Sequence, residues 1–79
     1  MALSRVGVGI CCTVIAVKSR GYSRFKMHSF GLCPGARVTV RYRSKDGGVT
    51  VLEADGSLTA VETKTLRKIA VQPILPITD

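Results

Sequence analysis

The sequence contains no tryptophan and only four aromatic residues among its 79, two Tyr and two Phe. A core therefore has to be built mainly from Val, Ile, Leu and Ala. The chain is long enough for one small domain, because two separate cores would each be too small to fold alone. The longest apolar run, residues 10–17, is far shorter than the roughly 20 residues that a membrane-spanning helix needs. Composition thus excludes a large enzyme, a membrane channel and a coiled coil, and we expect no membrane insertion.

Cysteine is also scarce. The three cysteines are an odd number and two of them are adjacent in the sequence, which is a poor basis for disulfide bonds. They are Cys11, Cys12 and Cys33. In a reducing compartment we expect such thiols to be buried as small hydrophobic groups.

Near the start of the chain, Arg5 followed by the apolar residues 6–17 imitates a secretory signal. Two glycines interrupt this stretch, and Lys18 and Arg20 follow it where a cleavage site would need small residues. We therefore expect no cleaved signal and a cytoplasmic protein.

Acidic residues are missing from the first half of the sequence. Residues 1–45 contain nine basic residues and no acid, whereas residues 46–79 contain three basic and five acidic ones. The net charge of +7 predicts a basic face on the folded domain. Such a face could bind nucleic acid, anionic lipid headgroups or an acidic protein.

Two segments have the pattern of β-strands. Residues 11–17 form a β-branched apolar run, which is typical of a strand that is buried on both faces or that closes a barrel. Residues 37–43 alternate, and this predicts that Val38, Val40 and Tyr42 face the core. On the opposite side the alternation predicts a basic face made of Arg37, Arg41 and Arg43.

The middle of the sequence contains three pairs of residues that are typical of tight turns. Pro34-Gly35 favours a type II turn, and the Asp-Gly pairs at 46–47 and 55–56 favour two-residue hairpins. These hairpins predict a meander of three strands, at residues 37–45, 48–54 and 57–62.

The meander also predicts a register. Tyr42 lies opposite Val51, and Val51 opposite Ala60, with their apolar side chains on the same side of the sheet. The same register places Glu53 on the core side, so that either the strand end twists into water or a β-bulge shifts the pairing.

Two short helices complete the predicted elements. Ser23 is expected to cap the first helix and Gly31 to end it, while Thr63 caps a single turn that continues to Lys68. Residues 69–74 form the last strand. About five short strands and one or two helices predict an all-β fold, a small bent barrel, because an open sheet would leave long exposed edges. The chain is expected to be one domain, residues 1–79, with its core in residues 6–74.

Few side chains in the sequence could bind a metal ion or act in catalysis. His28 is the only histidine, and it could bind zinc with Cys33 and one of the adjacent cysteines, but the chain lacks the C-x-x-C and H-x-x-x-H spacings of zinc sites. A Cys33–His28 nucleophile pair would lack an acidic residue to orient the histidine. We therefore expect neither a catalytic residue nor a bound cofactor, with a transition-metal ion at His28 and Cys33 as the minor alternative.

The segment KMHSFGLCPGARVTV, residues 26–40, resembles the FeoA family. The shared pattern is a basic residue, a short helical turn, Gly-apolar, one variable residue, Pro-Gly and a Val-rich strand. The resemblance extends over about residues 6–74 and implies an SH3-like barrel. It also implies a non-enzymatic cytoplasmic accessory of ferrous iron transport, whose partner is the cytosolic GTP-binding part of the membrane transporter FeoB. A domain of the same shape is appended to iron-dependent transcriptional repressors.

Residues 22–35 contain more apolar side chains than one short helix can bury, which indicates a docking surface for the partner. The predicted partner-binding residues are Arg24, Phe25, Met27, His28, Phe30, Leu32, Pro34 and Gly35. Two other functions remain open, a basic nucleic-acid-binding barrel and a metal-sensing domain. Nucleic acid is disfavoured because Tyr42 is expected on the side opposite the arginines. Weak self-association through a barrel edge also stays open.

Overall fold

The computed structural model describes residues 1–74, which form a mainly antiparallel β fold with one α-helix. The elements in chain order are a 3₁₀ turn at Leu3–Arg5, β1 at Cys11–Val17, α1 at Gly21–Ser29, β2 at Arg37–Arg43, β3 at Val49–Ala54, β4 at Ser57–Glu62, a 3₁₀ helix at Thr63–Lys68 and β5 at Ile69–Pro73. The five strands form one sheet in the order β4-β3-β2-β1-β5. The predicted all-β class and the number of strands are thus confirmed.

The core consists of apolar side chains from every strand, together with Met27 and Leu32 from the C-terminal end of α1 and the turn after it. Val14, Val40, Leu52 and Leu66 are almost completely buried in it. Leu3, from the stretch near the start of the chain, is also fully buried. Among the buried side chains of residues 1–74 only Ser19 and Thr50 are polar, so the core depends on close packing of small apolar groups.

A register break between Val40 and Tyr42 bends β2. On one side of the break Val40 pairs with Leu52, and on the other Tyr42 pairs with Val51. The strand therefore loses its alternation, and Tyr42 is 57% exposed instead of facing the core as predicted. Of the two explanations for Glu53, the bulge is the correct one, because the shifted register puts Leu52 in the core beside Val40.

The predicted cross-strand pairs are present, but on the other face of the sheet. Tyr42 pairs with Val51, and Val51 with Ala60, as expected. This row lies outside, since Tyr42 and Ala60 are exposed and Val51 is half-buried. The sheet therefore has an apolar strip on its outer surface.

The two Asp-Gly pairs behave differently. Asp55 and Gly56 both have positive φ, 52° and 79°, and they form the predicted two-residue hairpin between β3 and β4. The earlier pair lies within a longer loop, because β2 ends at Arg43 and β3 begins only at Val49. There the carboxylate of Asp46 accepts hydrogen bonds from the Gly48 backbone and the Ser44 hydroxyl, which lower the pKa of Asp46.

Both predicted helix caps are wrong. Helix α1 begins at Gly21, with Arg20 at its N-cap, so that Ser23 lies inside the helix and is exposed. The 3₁₀ helix follows Glu62 without a side-chain cap, and the hydroxyl of Thr63 instead contacts the buried Thr50 hydroxyl at 2.8 Å. A buried polar partner competes successfully with the helix end for the Thr63 hydroxyl.

Two leucines test this division between core and outer face. Leu52→Ala in β3 is expected to reduce the free energy of unfolding by about 2–5 kcal/mol, because it leaves a cavity in the core. Leu58→Ala in β4 removes a side chain that is 66% exposed and should change stability by no more than about 0.5 kcal/mol. Urea unfolding followed by circular dichroism measures both values, and equal losses would contradict the assigned faces.

Candidate interaction surface

Helix α1 has a single buried side chain, that of Met27, which is 3% exposed. The rest of the helix projects from the domain. Four of its exposed side chains define the α1 surface, namely Tyr22, Arg24, Phe25 and His28. Tyr22 is 77% and Phe25 69% exposed, and their spacing of three residues places them on one side of the helix.

The structure divides the predicted partner-binding residues into three groups by exposure. Arg24, Phe25 and His28 on the helix are exposed, as are Pro34 and Gly35 in the following turn. Met27 and Leu32 are core residues instead, at 3% and 1% exposure, and of the two only Met27 reaches the surface, at the floor of a groove beside the helix. Phe30 is half-buried and packs against the core.

Met27 and Leu32 are buried because the C-terminal end of α1 is anchored to the barrel. The Leu32 backbone donates a hydrogen bond to the Met27 carbonyl at 3.0 Å, and Gly31 between them has a φ of 83°. This left-handed glycine turns the chain so that both apolar side chains enter the core. Gly31 thus ends the helix as predicted, whereas Met27 and Leu32, which were expected on the partner surface, lie in the core.

An open groove of about 380 Å³ separates α1 from β4. The apolar side chains of Met27, Phe30 and Val61 line it, and Lys26 and Glu62 contribute charges of opposite sign. Sequence reasoning could not find this groove, since its two sides are more than 30 residues apart in the chain.

The three arginines of β2 do not form the predicted continuous basic face. Arg37 is exposed, but Arg41 forms an ion pair with Glu53, with its Nε 2.8 Å from Oε1. The hydrogen bond to this carboxylate raises the pKa of Arg41. Because the bulge reverses the strand's alternation, Arg43 points inward, where its Nε donates to the hydroxyl of Thr50 at 3.0 Å.

Cations gather instead at the end of the barrel where β1 meets the 3₁₀ helix. The Lys18 backbone donates a hydrogen bond to the Lys68 carbonyl at 2.7 Å, which joins two basic segments distant in sequence. The exposed cations next to this contact are Lys18, Arg20 and Lys68, and they define the basic end. Lys64 and Arg67 lie beside Asp46 and Glu62 instead, with Lys64 3.4 Å from the Glu62 carboxylate. The basic end could not be read from the sequence because Lys68 comes from the half of the chain that is acidic overall.

The FeoA domain family model matches residues 1–73. This chain belongs to the FeoA family. FeoA proteins are accessory factors associated with ferrous iron transport, and the resemblance found in the sequence is thereby confirmed.

Solved structures show the same fold. The FeoA protein of Chlorobium tepidum is 23% identical, with a TM-score of 0.88 over 95% of this chain and 71% of that one. The zinc complex of Stenotrophomonas maltophilia FeoA, described as an SH3 domain protein, is 16% identical, with a TM-score of 0.78 over 91% of this chain and 89% of that one. A manganese-dependent transcriptional repressor is 18% identical, with a TM-score of 0.83 over 92% of this chain and 40% of that one. A search of curated proteins gave no significant match.

The SH3-like fold of this FeoA chain is therefore established. The helices described within residues 1–74 are too short or too polar to cross a membrane.

The cysteines of this FeoA chain differ in their surroundings. All three are free thiols, and Cys12 is completely buried whereas Cys11 and Cys33 are half-buried. Burial raises the pKa of Cys12 to about 11. His28 is exposed on α1, and within residues 1–74 no three His, Cys, Asp or Glu side chains come together in a group that could hold a metal ion.

Thiol labelling checks these environments. At pH 8 we expect iodoacetamide to modify Cys11 and Cys33 and to leave Cys12 unmodified, because Cys12 is inaccessible and stays protonated. In urea all three should react. Peptide mass spectrometry identifies the sites, and rapid labelling of Cys12 in the folded protein would contradict its burial.

Proposed function

We propose that this FeoA domain is a cytoplasmic accessory protein that docks on the cytosolic GTP-binding part of a FeoB-like ferrous iron transporter and modulates it. The observation that carries the proposal is the α1 surface, where Tyr22 and Phe25 are the two most exposed large apolar side chains of the described residues. Membership in a family associated with ferrous iron transport supports this choice of partner. The domain itself is proposed to catalyse no reaction and to need no resident metal ion.

The α1 surface suits a protein partner for energetic reasons. Burying an exposed Phe or Tyr side chain in an interface contributes about 1.5–3 kcal/mol. Aromatic and arginine side chains are also the residues that most often dominate binding energy in interfaces. Arg24 beside Phe25 supplies both types on one helix, and an acidic counterpart would complement the net charge of +7.

Binding to the transporter domain tests the proposal. Phe25→Asp and Arg24→Glu are each expected to weaken binding to the purified cytosolic domain of the organism's own FeoB-like transporter by at least about 10-fold, the loss that one hot-spot residue causes. Arg37→Glu, which makes the same charge change on an exposed residue of β2, is the matched control. Calorimetry measures the affinities, and unchanged binding by both α1 variants would refute the surface.

A second candidate function is binding of nucleic acid, and the basic end is the observation that favours it. The two candidates differ in their response to salt. A complex with single-stranded nucleic acid that makes about six phosphate contacts loses about 300-fold in affinity between 50 and 200 mM salt. An interface centred on aromatic side chains should lose far less.

Fluorescence anisotropy at these two salt concentrations, with labelled single-stranded RNA and with the labelled transporter domain, separates the candidates. We expect the transporter domain to bind at both concentrations. RNA binding that exceeds it at 200 mM would favour the nucleic-acid function instead.

A further inference from the structure

The two edge strands of the sheet, β5 and β4, differ in whether their outer backbone groups are paired. Along β5, the Val71 backbone donates to the Met1 carbonyl at 2.7 Å and Ala2 forms a bridge with Ala70, so the start of the chain covers that edge. Along β4, no strand within residues 1–74 pairs with the outer edge. An open edge presents unpaired backbone groups that can pair with another chain.

The register identifies which backbone groups of β4 point outward. In an antiparallel ladder, hydrogen-bonded and non-hydrogen-bonded pairs alternate. The two-residue turn makes Ala54 and Ser57 a hydrogen-bonded pair, and at the other end Thr63 donates to the Gly48 carbonyl at 3.0 Å. The odd-numbered residues of β4, which are Ser57, Thr59 and Val61, therefore form the backbone hydrogen bonds to β3. The N–H and C=O groups of Leu58, Ala60 and Glu62 face away from it.

Beside this edge lies the groove between α1 and β4. Its lining is mixed, with the half-buried ring of Phe30 beside the polar groups of Ser23 and Glu62, and Lys26 on the helix can pair with a carboxylate. On the outer face of the sheet, Leu58 continues the apolar strip of Tyr42, Val51 and Ala60. An added strand would therefore meet the mixed groove, with Phe30 as its apolar contact, on one face and the apolar strip on the other.

We propose that β4 accepts an extended segment of the partner protein as a sixth strand, with one apolar side chain in the groove and an acidic residue beside Lys26. The proposal rests on the proposed function, since it takes the cytosolic part of the transporter as the source of the segment. Backbone hydrogen bonds provide affinity in such strand addition, and the alternating side chains provide specificity. A second copy of this chain fits less well, because each copy would bring a charge of +7 to the contact.

Hydrogen exchange gives a direct test. When the purified cytosolic domain of the organism's transporter is added to the labelled FeoA chain, NMR should show at least 10-fold slower exchange at the amides of Leu58, Ala60 and Glu62. The amides of Ser57, Thr59 and Val61 are already bonded to β3 and should change little. Docking through the α1 surface alone does not produce this alternation, and its absence in a formed complex would overturn the strand addition.

A pair of variants adds an independent measurement. Ala60→Pro removes one outward N–H that the sheet itself does not use, a position where an edge strand tolerates proline. We expect it to reduce affinity for the transporter domain at least 10-fold, whereas Ala60→Val, which keeps the N–H and adds apolar surface to the strip, should bind at least as tightly as the native chain. Undiminished binding by a folded Ala60→Pro variant would overturn the proposal.

The outcomes distinguish the two proposals. If the native chain binds the transporter domain without slower exchange at the three amides, only the added strand is refuted and the docking function stands. If the native chain does not bind the domain, both are refuted. If the same amides slow with rising FeoA concentration in the absence of the partner, a second copy occupies the edge and the assignment to the transporter is wrong.

Discussion

The register break in β2 determines which side chains of the meander enter the very small core. A regular pairing would place Glu53 against the core, where a carboxylate costs several kcal/mol unless it is paired. The bulge places Leu52 there and leaves Glu53 outside, beside Arg41. An exposed ion pair of this kind contributes at most about 1 kcal/mol, so the gain lies in the burial of the leucine. The same shift exposes Tyr42 and turns Arg43 inward, and it thereby creates the apolar strip next to β4.

The α1 surface follows from how little of the helix is needed to close the barrel. Met27, Gly31 and Leu32 fix the C-terminal end, and the preceding turns stay outside because the core has no further room for them. A helix anchored at one end presents its side chains in a fixed orientation, which lowers the entropy lost on binding. The α1 surface and the helix side of the groove thus arise from the packing of one short segment.

Much of the architecture could be predicted because local patterns determine it. The β-branched run of β1, the Asp55-Gly56 hairpin and the left-handed Gly31 each specify their conformation within a few residues. Side-chain direction beyond the bulge could not be predicted, since the bulge depends on β3 and the core as well as on β2. Nor could the sequence separate the exposed Phe25 from the buried Met27, because the rotation of α1 is set by contacts with distant strands. The basic end could not be predicted either, because it depends on the contact between Lys18 and Lys68, which are 50 residues apart in the sequence.

The pairing of β1 with β5 has a consequence for the order in which the domain assembles. Strands β2, β3 and β4 are neighbours in the chain and connect through short loops, whereas Val17 reaches Ile69 only by closing a loop of some 50 residues. The entropy of loop closure rises with loop length, so contacts between remote residues form slowly. We expect the meander to be the folding nucleus and the β1–β5 ladder to form late. In a nascent chain the binding edge would then take shape before the barrel that supports it is complete.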